Sequence, residues 1–94
     1  MGKFWTDQGP YNIKKAQYAE DETCLDASID CPASQDYSKA YIHHLIRSGE
    51  LLGAMVLSWH NIAYFQDLMA RMRAAIAVGE FDAFLKTFRT NWAR

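Results

Sequence analysis

From Asp36 onward, apolar positions recur at intervals of three and four residues, the period of helices that turn one face inward. Tyr41, Ile42, Leu45 and Ile46 mark the first such segment, with Ser34 or Asp36 as its N-cap and Ser48-Gly49 as its end. The second segment is the longest. Leu52, Met55, Trp59, Ile62, Phe65, Met69, Met72 and Ile76 step along one stripe, which predicts a helix from about Glu50 to Val78, stopped by Gly79. At ~1.5 Å per residue it would reach on the order of 40 Å. In the third segment Phe81, Phe84, Leu85, Phe88 and Trp92 share a stripe, with Lys86 and Arg89 on the opposite side. The plain reading of each stripe is core packing between antiparallel helices. Between Leu51 and Leu57 the long helix is apolar nearly all round, which predicts cover from several sides, a second copy or another domain included.

The first third lacks this rhythm. Phe4 to Thr6 and Tyr11 to Ile13 read as two short strands joined by Asp7-Gln8-Gly9-Pro10. Ala16 to Gln35 shows no sustained period. A weakly structured stretch of this length is functional, disordered, or a cover for a surface outside the chain, and the last is expected here. The division is therefore an irregular connector with a short hairpin over residues 1–35 and a helical subdomain over 36–94. The fold class is mainly α: three helices, one of them long and central, preceded by a strand and loop segment.

With 94 residues the chain makes one domain whose stability margin is thin. Half the residues are apolar and 14% aromatic, a composition that folds. The formal charge of −1 excludes binding of nucleic acid through bulk charge alone. Its distribution is uneven: Ala16 to Ser38 holds six acidic residues and no basic one, whereas Lys39 to Arg94 holds seven basic and four acidic. The longest strongly apolar stretch, Leu51 to Leu57, is far short of the roughly 20 residues that span a bilayer. The start has neither the apolar core nor the small-residue cleavage site of a signal peptide, so a cytoplasmic setting with reduced cysteines is expected.

No glycine-rich phosphate loop, nucleophile elbow or Cys-x-x-Cys pair is present, and no catalytic residue is assigned. Cys24, Cys31, His43, His44 and His60 supply enough donors for a tetrahedral zinc on paper, but Cys24 and Cys31 are too widely spaced and adjacent histidines diverge by about 100° on a helix. Tyr37, Tyr41 and His44 fall at i, i+4 and i+7 on one face. Two amphipathic aromatics and a histidine suit a contact surface that is apolar yet partly wet, or a half-buried core edge.

Several runs, taken together and in order, resemble the C-terminal region of bacterial tRNA-guanine transglycosylases. They are Tyr11-Asn12-Ile13-Lys14-Lys15-Ala16, Ser38-Lys39-Ala40-Tyr41-Ile42-His43-His44-Leu45, Gly49-Glu50-Leu51-Leu52-Gly53-Ala54, His60-Asn61-Ile62-Ala63-Tyr64 and Leu68-Met69. Members of that family exchange the guanine at the wobble position of certain tRNAs for a 7-deazaguanine on the queuosine route. Their catalytic aspartates lie in a β/α barrel that precedes the region resembled, and none of the aspartates here takes those roles. The resemblance thus implies an accessory module, not an enzyme on its own.

In the family this region holds a structural zinc through Cys-x-Cys-x-x-Cys and a later histidine. The resemblance places Cys31 and His60 at two of those positions, while Ile29 and Ser34 stand at the other two, with Cys24 as a conceivable substitute donor. Zinc is accordingly a weakened expectation. The resemblance also makes the region a homodimer contact and puts Tyr37, Tyr41 and His44 in it. Expected partners are a second copy or a transglycosylase barrel, with tRNA reached through the assembled enzyme and Lys86 and Arg89 as candidate phosphate contacts; no membrane is involved. The rival reading is a freestanding helical interaction domain without a tRNA role.

Overall fold

The computed structural model describes residues 2–92. Its elements run β1 (Lys3–Thr6), β2 (Gly9–Asn12), a single 3-10 turn (Ala16–Tyr18), α1 (Pro32–Gln35), α2 (Lys39–Arg47), α3 (Leu51–Ala77) and α4 (Phe81–Trp92). The chain is mainly α with one long helix, as the pattern predicts, and the one-turn α1 joins the three expected helices. The molecule measures 46 × 25 × 21 Å, its long dimension matching the reach of α3.

The hairpin is tighter than the sequence predicts. Pairing of Thr6 with Gly9 and of Trp5 with Pro10 leaves only Asp7 and Gln8 as the loop, so Gly9 and Pro10 belong to β2. Pro10 is tolerated because it sits opposite Trp5 at a pair that exchanges no ladder hydrogen bond: the Trp5 N–H and C=O both point away from β2, toward α3. Thr6 closes the turn, donating its hydroxyl to the Gly9 carbonyl and accepting from the Gln8 N–H.

Residues 16–35, aperiodic in sequence, are held by local polar bonds. Asp21 accepts from the Thr23 N–H and hydroxyl, and Asp26 does the same for Ser28, so two residues of the acidic run form side-chain turns. Those Thr23 bonds hold the Asp21 carboxyl below its ordinary value. The loop then caps α2, whose first free N–H groups, on Lys39 and Ala40, donate to the Thr23 and Asp21 carbonyls at 2.8 Å. The side-chain cap is Ser38, accepting from Tyr41 N–H at 3.1 Å, and not Ser34 or Asp36, which belong to α1 and its end.

The short turns that join α2 to α3 and α3 to α4 are both glycine caps. Gly49 and Gly79 each adopt φ +74°, and Glu50 N–H bonds back to Leu45 and Glu80 N–H to Ala75, which closes the ends of α2 and α3 in the same way. α2 then returns against α3 at Gly53, where a Cβ would lie 2.8 Å from Leu45 Cβ.

The core draws Phe4, Ile13, Tyr18, Leu25, Ile29, Cys31 and Ala33 from the first third, and Ile42, Ile46, Val56, Leu57 and Tyr64 from the helices. The face of α3 that enters it is Gly53, Val56, Leu57, His60 and Tyr64. This corrects the expected stripe. Leu52, Met55, Trp59, Ile62, Phe65, Met69 and Ile76 lie outside, with Met55 58% and Ile62 60% exposed. Between Leu51 and Leu57 the helix is apolar on two sides, and the remainder of the chain covers one of them. In α4 the predicted stripe is half-buried and Lys86 and Arg89 are exposed, as expected. Trp92 stacks on Trp5 with ring centroids 5.5 Å apart, which brings the end of α4 back to the hairpin.

Candidate functional site

His60 and Asn61, consecutive on α3, both reach the open edge of β1. The Asn61 amide behaves like a strand partner: its Oδ1 accepts from Trp5 N–H and its Nδ2 donates to the Lys3 carbonyl, each at 3.0 Å. His60 Nε2 lies 2.9 Å from the Trp5 carbonyl. A carbonyl only accepts, so Nε2 carries the imidazole proton, and Nδ1 is left to accept from the Ser34 hydroxyl at 2.7 Å. The ring is fully buried beside Phe4 and Tyr64. Burial pushes its basicity below the ordinary histidine value, against a smaller opposing influence from the Trp5 carbonyl and Asp26.

These contacts decide whether the residues fit a zinc ion. Ile29, Cys31, Ser34 and His60 are all buried, so the four positions of the resemblance lie in the interior. Ile29 offers no donor. Ser34 engages the His60 nitrogen that is free of a proton, the one a metal would need. Cys24 is partly exposed and lines a groove with Tyr37, Ser38 and Tyr41. Among the described residues no group of three or more His, Cys, Asp and Glu side chains is placed to hold a metal ion. The donor set does not fit zinc.

The second feature is the outer face of α2, which carries Tyr41 and His44; Tyr37, expected on the same helical face, lies in the turn before the helix. Tyr37 is half-buried and Tyr41 45% exposed, and their rings stack at 5.9 Å and 12°. His44 is exposed next to them, while its neighbour His43 turns inward and contacts the Ile13 carbonyl at 2.7 Å through Nδ1. The helix therefore separates the two histidines as their spacing predicts. Ile42 and Ile46 anchor the opposite side in the core, so Tyr41 rides on a fixed helix, and Tyr37 stacks on it from the turn just before that helix.

A third cluster escaped the sequence reading. Asp7, at the hairpin tip, accepts from Tyr64 hydroxyl at 3.0 Å and from Arg71 at 2.8 and 3.0 Å, and Arg71 also bonds Asp67 at 2.8 Å. Burial and then the Asp7 contact push the Tyr64 hydroxyl well above the ordinary tyrosine value, while the bonds to Asp7 raise the Arg71 guanidinium. Arg71 lies 5.9 Å from the centre of the Phe84 ring, so the cluster ties the hairpin, α3 and α4 together. Its only signal in the sequence is spacing, since Tyr64, Asp67 and Arg71 share a helical face. Among the described residues no helix is long and apolar enough to cross a membrane.

Comparison with known proteins agrees with the motifs. The family model described as Queuine tRNA-ribosyltransferase matches residues 1–94. The chain is 61% identical over 87 residues to a queuine tRNA-ribosyltransferase of Caulobacter vibrioides, 93% of this chain and 24% of that protein. It is 53% identical over 93 residues to that of Brucella melitensis biotype 1, 99% of this chain and 25% of the relative. A Rickettsia bellii protein of the same name is 55% identical over 82 residues, 86% of this chain and 23% of its own length. The chain thus spans about a quarter of the length of the curated relatives it matches, and the matching part is their C-terminal region. Motif order, matched length and identity lead to one conclusion: this chain belongs to the queuine tRNA-ribosyltransferase family.

Proposed function

We propose that this chain is the accessory C-terminal module of a queuine tRNA-ribosyltransferase, working in the cytoplasm in queuosine modification of tRNA. Its task is positional. The Tyr37, Tyr41 and His44 face joins two copies, and the outer face of α3 lies against a catalytic barrel, so that one barrel exchanges the base while the assembly holds the tRNA. Lys86 and Arg89, exposed on α4, reach phosphate in that assembly.

The observation that carries this reading is exposed Tyr41, stacked on half-buried Tyr37 and carried by a helix whose other side is locked in the core. Aromatic side chains at the centre of a contact hold much of its binding energy. Tyr41→Ala is expected to weaken self-association at least about tenfold in sedimentation while leaving the urea midpoint of the folded chain nearly unchanged. Equal loss of association and folding would assign the tyrosines to the core and end the dimer role. Mixing the chain with a separately expressed barrel tests the remainder: restored guanine exchange supports the transglycosylase reading. Binding to an unrelated protein without exchange supports a freestanding interaction domain, a rival favoured by Ile29 and Ser34 at two ligand positions of the resemblance.

A further inference from the structure

In the place where the family resemblance puts a metal, three elements meet: the segment that runs from Ile29 through Cys31 into α1 with Ser34, the strand β1, and α3. A metal in such a position would fasten loop to helix. Here the fastening is a chain of hydrogen bonds, from Ser34 hydroxyl to His60 Nδ1 at 2.7 Å and from His60 Nε2 to the Trp5 carbonyl at 2.9 Å. We infer that the Ser34–His60–Trp5 relay, packed among Ile29, Cys31 and Phe4, replaces the metal as the structural tie, so that this chain folds and stays folded without zinc.

The argument is one of donors and space. A tetrahedral structural zinc takes four nitrogen or sulfur ligands. Ile29 puts a hydrocarbon at one position, and its burial is itself favourable without any ion. Ser34 is 0% exposed, and a hydroxyl there would be costly unless bonded; the His60 nitrogen satisfies it. The same bond satisfies His60, which is also 0% exposed and would otherwise bury a bare ring nitrogen. Each polar group answers the other, and the backbone carbonyl of Trp5 completes the set. Restoring a metal would require breaking the Ser34 bond and would still leave only Cys31 and His60 as ligands of the ordinary kind.

The test uses the full 94-residue chain, expressed in zinc-supplemented medium and purified without chelator. Metal analysis should find well under one zinc per chain, and the thermal midpoint should be the same with zinc ion added as with a strong chelator. Long-range proton–nitrogen spectra should show His60 protonated at Nε2 and bare at Nδ1, unmoved by either addition. Ser34→Ala should lower Tm by roughly 5–10 °C, through the unsatisfied ring nitrogen it leaves behind. One equivalent of zinc in the parent chain, a midpoint that drops with chelator, or a proton on Nδ1 would overturn the assignment. So would an unchanged Tm in Ser34→Ala, which would show that the relay fastens nothing. Should that variant not fold at all, the metal analysis, chelator melt and spectra of the parent still decide.

Discussion

The two faces of α3 differ in a way that hydrophobicity alone would have ranked backwards. The outer face carries Leu51, Met55, Trp59, Ile62 and Met69, large apolar side chains that remain exposed. The inner face carries a glycine, two aliphatic residues, a histidine and a tyrosine, and it is buried. What decides is fit. α2 approaches closely enough that only a glycine is accommodated at position 53, and the open edge of β1 needs side chains that donate and accept, which His60 and Asn61 supply. The outer face has no such partner among the described residues. A contiguous apolar stripe left open on a small domain is the mark of a contact surface.

The largest test of this contrast is Tyr64→Ala. Tyr64 is fully buried, packs between His60 and Phe65, and donates its hydroxyl to Asp7. Truncation leaves a cavity and should cost about 3–5 kcal/mol in urea unfolding, much of the stability a domain of this size possesses. Tyr64→Phe keeps the ring and removes only the hydroxyl, so its expected cost is about 1 kcal/mol. If the alanine variant lost no more than the phenylalanine one, the inner face would not be the core.

Gly53→Ala is smaller and more discriminating, because two effects of similar size oppose each other. Helix propensity favours alanine by about 1 kcal/mol in a helix interior. Against it, the new methyl would meet Leu45 Cβ at 2.8 Å and the Ile46 nitrogen at 3.1 Å, and one of these contacts is backbone. Overpacking of this kind costs about 1–3 kcal/mol, so the net change should be destabilising by up to ~2 kcal/mol. A stabilised variant would mean that α2 and α3 are not in close contact at this point.

Much of this architecture was written in the sequence. The long helix expected from about Glu50 to Val78 runs from Leu51 to Ala77, because glycines at 49 and 79 are strong local stops. The hairpin, the half-buried stripe of α4 and the divergence of His43 from His44 also follow from local rules. What local rules could not supply was the partner of each surface. Periodicity located an apolar stripe on α3, but the same period fits a face turned inward and a face turned outward, and this helix has both. Pro10 looked like a turn residue since its lack of a donor matters only at hydrogen-bonded pairs, and pairing is not visible along the chain. Ser34 stood out by contrast with a cysteine pattern, yet its bond to His60 spans 26 residues and needs the fold to be seen. The run from Glu20 to Asp36 shows no apolar period although Leu25, Ile29, Cys31 and Ala33 enter the core, because side-chain turns at Asp21 and Asp26 and the one-turn α1 take the place of a long regular element.

The smallest expected effect concerns the outer face. Met55→Ser and Ile62→Ser, made together, remove apolar area that is already in water, so the folded and unfolded states lose hydrophobic contact with solvent to a similar degree. The change in unfolding free energy should stay within about 0.5 kcal/mol per site, although the same substitutions at inner positions such as Val56 would cost several times more. Association should respond instead: the variant should be more soluble and should bind a separately expressed barrel less tightly, and urea melts beside a titration with the barrel would separate the two readouts. Loss of folding without loss of binding would reverse the assignment of the faces, since a side chain stabilises whichever state buries it.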